Sequence, residues 1–232
     1  MQDYKRAVII GSKQTYGKGT VQNVYDLNRW LRQNDLGDMG ALKITTQKFY
    51  RINGGSTQLE GVKSDVVVPD RFSYIDIGEK DLDNPLPWDK IAAADYEVWD
   101  GYIDYDQTIS NSNERMAKNK QLQLIEENAK WIKSKQDDSV WPLNIDAYAA
   151  KMEQNEAEAK RFDDLRNYES GLTFKSLPYE IKKFENDTVL KQKRERWHED
   201  LAKDVYMDEA INVLEDLKVN NIRRGKLADV RD

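Results

Sequence analysis

No cysteine occurs among the 232 residues, which excludes disulfides and thiolate metal sites. The one histidine, His198, sits in Arg196-Trp197-His198-Glu199-Asp200, and adjacent positions on a helix point apart. With no second histidine to complete a ligand set, the sequence predicts no metal site. No apolar run approaches the roughly 18 residues that span a membrane. Met1-Gln2-Asp3-Tyr4-Lys5 does not lead into the apolar core of a signal peptide. A dominant sign of charge is missing too. Lysine and arginine number 36 against 42 aspartates and glutamates, a mixed net charge of −6 that argues against a nucleic-acid partner. Hydrophobic residues are 39% and charged residues 34%, so the core is modest and the helices heavily solvated.

What is present is concentrated near the start. The apolar run Ala7-Val8-Ile9-Ile10 predicts a strand, and Val21-Gln22-Asn23-Val24-Tyr25-Asp26-Leu27 alternates like another. Between them Lys18 is bracketed by Gly17 and Gly19, which permit unusual backbone angles and close approach of another segment. Two chemistries suit such a lysine. A phosphate-binding loop needs four residues between its first glycine and Gly-Lys, then a hydroxyl residue, then a helix. Here five residues separate Gly11 from Gly17, Gly19 replaces the hydroxyl, and strand periodicity follows. The alternative is a desolvated lysine acting as a general base toward a serine, as in Ser-Lys variants of the catalytic triad. Gln22, four residues on, is placed to orient the amine. A solvated lysine in a surface turn is the plain alternative on spacing alone.

The rest of the chain reads as β-rich and then helical. Strand candidates are 6–10, 20–27, 41–51 and 57–68, with a loop at 34–40 and a strong hairpin signal at Asn53-Gly54-Gly55, between Tyr50-Arg51-Ile52 and Thr57-Gln58-Leu59. Residues 76–109 form a connector containing Asn84-Pro85-Leu86-Pro87. Its aromatics Trp88, Tyr96, Trp99, Tyr102 and Tyr105 are spaced too irregularly for one helical face and read as packing groups rather than a stacking platform. Asn111 with Glu114, or Ser112, caps a helix to about residue 136 with a stripe of Leu122, Ile125, Ala129 and Ile132. Asp146 caps a second helix bearing Tyr148, Met152, Ala159, Phe162 and Leu165. Pro178 suits the first turn of a run over 178–203, whose mixed charges read as a solvated face. Asp208 caps a last helix with Ile211, Leu214 and Leu217 facing inward. After Val219 a polar, frayed tail is expected.

Thr15-Tyr16-Gly17-Lys18-Gly19-Thr20-Val21-Gln22 resembles the lysine motif of the carboxy-terminal processing, or tail-specific, proteases of peptidase family S41. Leu42-Lys43-Ile44-Thr45-Thr46-Gln47-Lys48-Phe49-Tyr50-Arg51 resembles the family strand that follows. Gly61-Val62-Lys63-Ser64-Asp65-Val66 is similar to its Gly-Val-x-Pro-Asp-Val segment, with Ser64 where proline is usual. Leu82-Asp83-Asn84-Pro85-Leu86-Pro87-Trp88-Asp89 and Tyr206-Met207-Asp208-Glu209-Ala210 resemble the long, tail-specific branch.

The resemblance implies an α+β chain. Residues 1–75 would be the C-terminal part of an S41 catalytic domain, 76–109 a connector, 110–220 a helical C-terminal domain and 221–232 a flexible tail. It implies that Lys18 is the general base and Gln22 its positioner, with no metal or organic cofactor. Ser12, the one serine before Lys18, lacks the family's serine surroundings, so the nucleophile and a PDZ module are expected upstream of these residues. The chain alone is then expected to be inactive. The implied setting is periplasmic, and the implied partners are polypeptides with apolar C-termini, the upstream part of the protease and an adaptor. A second reading, a non-catalytic interaction or scaffold domain, is served by the helical stretch 110–218.

Overall fold

Strands β2 (Thr20–Asp26) and β3 (Ala41–Lys48) form an antiparallel hairpin in the computed structural model, which describes residues 1–30, 37–101 and 103–223. Their β-branched and aromatic residues suit a pleated surface. The register runs from Thr20 opposite Lys48 to Asp26 opposite Ala41. Val21 faces Gln47 while Gln22 faces Thr45, so Thr46 is an extra residue on β3. A bulge of this kind increases local twist and re-aims neighbouring side chains. It sits beside Gln22.

The strand expected over 41–51 therefore ends at Lys48. Asn53-Gly54-Gly55 turns the chain, with Gly54 N donating to Arg51 O at 2.9 Å and Arg51 N to Gly55 O at 2.8 Å, but an isolated antiparallel bridge between Tyr50 and Ser56 stands where hairpin strands were expected. The candidates 6–10 and 57–68 shrink to β1 (Ile10–Gly11) and β4 (Val66–Val67), paired in parallel. The alternation in 57–68 misleads because Leu59 stands at φ 65 and cannot continue a strand. The backbone there bonds instead to the lysine loop, through Leu59 N to Gly17 O, Thr15 N to Val62 O and Ser64 N to Lys13 O.

Among the described residues six α-helices follow: α1 (Tyr105–Lys118), α2 (Lys120–Asp137), α3 (Ile145–Lys160), α4 (Pro178–Phe184), α5 (Thr188–Ala202) and α6 (Val205–Arg223). The helix expected from residue 111 starts earlier, because Asp104 accepts from Gln107 N, and it breaks at Asn119. Asn119 is extended (φ −82, ψ 109) and its side chain caps α2 by accepting from Gln121 and Leu122 N–H. Asn144, not Asp146, caps α3. Pro178 occupies the first turn of α4 as expected, but the run ends at Phe184 and restarts at Thr188 under an Asp187 cap. Asp204, not Asp208, accepts from Tyr206 and Met207 N–H at the head of α6. The buried face of α6 is thereby Val205, Glu209 and Val213, with Leu214 exposed rather than inward. Helix α6 continues to Arg223 where a frayed tail was expected. Tyr102, residues 34–36 of the expected loop and Arg224-Gly225-Lys226 of the expected tail lie outside the described residues.

The fold is α+β and divides into two units. One holds residues 1–9, 13–64 and 76–101. Among its described residues the buried side chains are polar: Thr20, Ser56, Gln58 and Glu79. The connector runs along its 52–56 turn, with Ile91 N donating to Gly54 O and Trp88 Nε1 to Ser56 O. Tyr96 meets Tyr4 edge-on at 5.4 Å, a packing contact of the kind expected of the connector's aromatics, whereas Trp99 stays exposed. The other unit holds 10–12, 65–75 and 103–223, and it contains the apolar core: Val66, Val68, Leu122, Ala129, Phe162, Phe184, Val205 and Val213. His198 lies in this unit, 3.4 Å from the Ser176 hydroxyl.

Candidate active site

The lysine loop is held at one backbone group after another. Thr15 N donates to Val62 O at 3.0 Å, Tyr16 O accepts from Glu79 N at 2.8 Å and Gly17 O accepts from Leu59 N at 2.8 Å. Lys18 O accepts from Thr57 Oγ1 at 2.9 Å, Gly19 N donates to Gln58 Oε1 at 2.8 Å and Gly19 O accepts from Phe49 N at 3.0 Å. Four successive carbonyls, Tyr16 to Gly19, thus have donors. A loop anchored at this density presents its side chains from a fixed frame.

The glycines explain how the frame closes so tightly. Gly17 stands at φ 89, and a Cβ there would meet Leu59 O at 2.9 Å. At Gly19 a Cβ would lie 2.6 Å from Gln58 N and 2.7 Å from Ser56 Oγ. Each flanking residue of Lys18 must be glycine for segment 56–59 to lie against the loop.

Lys18 and Gln22 are brought together. Lys18 Nζ donates to Gln22 Oε1 at 3.1 Å, and Gln22 Nε2 donates to Thr45 Oγ1 at a long 3.5 Å, beside the Thr46 bulge. Both side chains are exposed. The arrangement has a chemical direction. A neutral amine carries two N–H donors and one lone pair, so committing one N–H to Gln22 limits where the lone pair points. Ser12 belongs with β1 to the helical unit, and Lys18 to the hairpin unit.

Residues that sequence reasoning missed stand behind the loop. Gln58 is fully buried; its Nε2 donates to Glu79 Oε1 at 3.1 Å and to Leu86 O at 3.0 Å. Glu79 is 8% exposed and anchors Tyr16 through its own N–H. At the far end of β3, Asp89 Oδ2 accepts from Lys48 Nζ at 3.0 Å and from Tyr50 OH at 3.1 Å. The hydrogen bond from Lys48 holds the Asp89 carboxyl below the usual carboxylate range. Burial, and then the Asp89 carboxylate, push the Tyr50 phenol up.

Comparison with known proteins divides the chain between two families. Residues 1–68 match peptidase family S41, and residues 72–219 match the family described as C-terminal domain of tail specific protease. The chain is similar to the tail-specific protease of Haemophilus influenzae, 41% identical over 169 residues, 71% of this chain and 24% of that protein. It is also similar to the carboxy-terminal-processing protease of Bartonella bacilliformis, 38% identical over 88 residues, 35% of this chain and 18% of that protein. The chain thus spans at most about a quarter of the length of these relatives.

Proposed function

The chain belongs to the tail-specific protease family of S41 peptidases, and on that premise we propose that it supplies the general base of a serine endopeptidase whose nucleophile lies elsewhere in the protein. Lys18 removes the proton from the serine hydroxyl as its oxygen bonds to the peptide carbonyl carbon. The ammonium so formed then gives that proton to the amine that leaves when the C–N bond breaks. Gln22 holds one N–H of Lys18 so that the lone pair faces the serine. The observation that carries this reading is the 3.1 Å Lys18–Gln22 hydrogen bond on a loop anchored at four successive carbonyls.

Lys18 is exposed in this chain. The substrates are polypeptides recognised by apolar C-termini in the periplasm, a reading supported by the family resemblance. The helical unit exposes Val140, Leu143 and Ile145 at the α2–α3 junction, which favours a further role in contacting an adaptor.

The test is Lys18→Ala and Lys18→Arg in the full-length protease, assayed on an unfolded protein with an apolar C-terminal tail. Both variants are expected to be inactive, since arginine cannot give up its proton. Near-normal turnover by the arginine variant would reduce Lys18 to a positive charge and end the base assignment.

A further inference from the structure

We propose that Thr57 and Gln58 are positioning residues that act through Lys18 by gripping the single peptide plane between Lys18 and Gly19. This rests on Lys18 being the base. The two hydrogen bonds concerned belong to one peptide unit. Thr57 Oγ1 donates to its carbonyl, Lys18 O, at 2.9 Å, and Gln58 Oε1 accepts from its amide, Gly19 N, at 2.8 Å. In a trans peptide these two groups point to opposite sides of the chain. One bond alone would let the plane swing about the other side; two bonds fix its rotation. That rotation is the ψ angle of Lys18 together with the φ angle of Gly19, the two soft torsions beside the base. The glycines allow the loop its close approach, and they also bring a freedom that the clamp removes.

Gln58 is built for this task. It is 0% exposed and each N–H of its amide is committed, one to Glu79 Oε1 and one to Leu86 O. Its own backbone N–H donates to Ser56 Oγ at 3.0 Å. The partners dictate which way the amide faces: Gly19 N–H can only donate, and Leu86 O can only accept. An apolar side chain of the same length would fill the space, but only an acceptor can hold Gly19. Glu79, the partner of that amide, also donates from its backbone to Tyr16 O at 2.8 Å, so clamp and loop share a second anchor. Thr57 contributes the complementary donor from a half-buried position, where exchanging its hydroxyl for a methyl disturbs little else.

The experiment uses the full-length protease and the unfolded substrate with an apolar C-terminal tail, with kcat, KM, the pH profile and a thermal melt recorded for each variant. Thr57→Val keeps the shape and removes the donor. It is expected to lower the plateau kcat roughly ten-fold with KM and melting temperature held, because a misplacement of about 1 Å costs on the order of a hundred-fold. Thr57→Ser restores the hydroxyl and should restore kcat to within about two-fold of the parent. Gln58→Met should lower kcat about a hundred-fold. If that variant does not fold, the Thr57 pair decides. Wild-type kcat in Thr57→Val, or no rescue by serine, overturns the clamp. Lys18→Met in the same assay separates the two levels. If it stays active, the base assignment fails and the clamp with it. If it is dead while Thr57→Val turns over normally, only the clamp falls.

Discussion

Arg115 on α1 and Glu209 on α6 form a forked ion pair, with Nη2 at 2.7 Å and Nε at 3.1 Å from Glu209 Oε1. Glu209 is 4% exposed and also accepts from Ser112 Oγ at 2.6 Å, while Arg115 Nη1 reaches Asp216 at 2.7 Å. A carboxylate this deep is tolerated because it is paired with the Arg115 guanidinium and hydrogen-bonded to Ser112. Arg115→Ala should therefore destabilise the helical unit by about 3 kcal/mol, the cost of leaving a buried charge alone. Replacing both partners, Arg115→Met with Glu209→Leu, should recover most of it. Urea unfolding of the chain followed by circular dichroism measures both, and a loss below about 0.5 kcal/mol in the single variant would class the pair with ordinary surface bridges.

Gly19→Ala should disable the protease without unfolding it. The added Cβ would lie 2.6 Å from Gln58 N, so the loop must move away from segment 56–59 and carry Lys18 with it. A loss of about a hundred-fold in kcat is expected from such a displacement. Gly171→Ala is the control. Its φ of 74 imposes about 1–2 kcal/mol of strain, but nothing stands within 4 Å and activity should persist.

Alkaline pH should loosen the helical unit through its tyrosines. Burial, followed by Asp70 and Asp204, pushes Tyr206 up to about 12, and its OH donates to Pro69 O at 3.0 Å. Tyr168 is raised as well, first by burial and then by its hydrogen bond to Asp208. The folded state keeps these protons where the unfolded chain, at the ordinary value of 10.0, gives them up. Their stabilisation is thus complete below about pH 10 and is lost as pH climbs toward 12. Denaturant unfolding at pH 9 and 11.5 should show the decline, and Tyr206→Phe should flatten it. An unchanged slope in that variant would remove Tyr206 from the account.

The 232-residue chain by itself is expected to cleave nothing. The side-chain partner described for the Lys18 amine is Gln22, and on the proposal that the serine nucleophile lies elsewhere in the protein, the base alone forms no acyl-enzyme. Turnover by the purified chain, inhibited by a serine-reactive reagent and abolished by Ser12→Ala, would place the nucleophile within it.

Legibility in the sequence followed the distance between partners. Lys18 and Gln22 are four residues apart across a loop-to-strand junction, and Asn53-Gly54-Gly55 and Pro178 carry their signals locally. Gln58 was invisible because its partners Gly19, Glu79 and Leu86 lie 39, 21 and 28 residues away. Capping aspartates and asparagines were misassigned by a few positions, since Asp204 and Asp208, or Asn144 and Asp146, offer similar side chains within one turn. The break at Asn119 was hidden by charged helix formers on both sides. In 57–68 the alternation was real, but the backbone torsion at Leu59 was not written in its neighbours.

The two units described above are interleaved along the chain, which passes from one to the other after residues 9, 12, 64, 75 and 101. The helical unit is therefore not a cassette. A fragment begun at residue 103 would leave behind β1, β4 and the Pro69 carbonyl that receives the Tyr206 hydroxyl. Grafting these helices onto another protease would require transplanting residues 10–12 and 65–75 as well, so exchange by a single recombination joint is closed to this architecture.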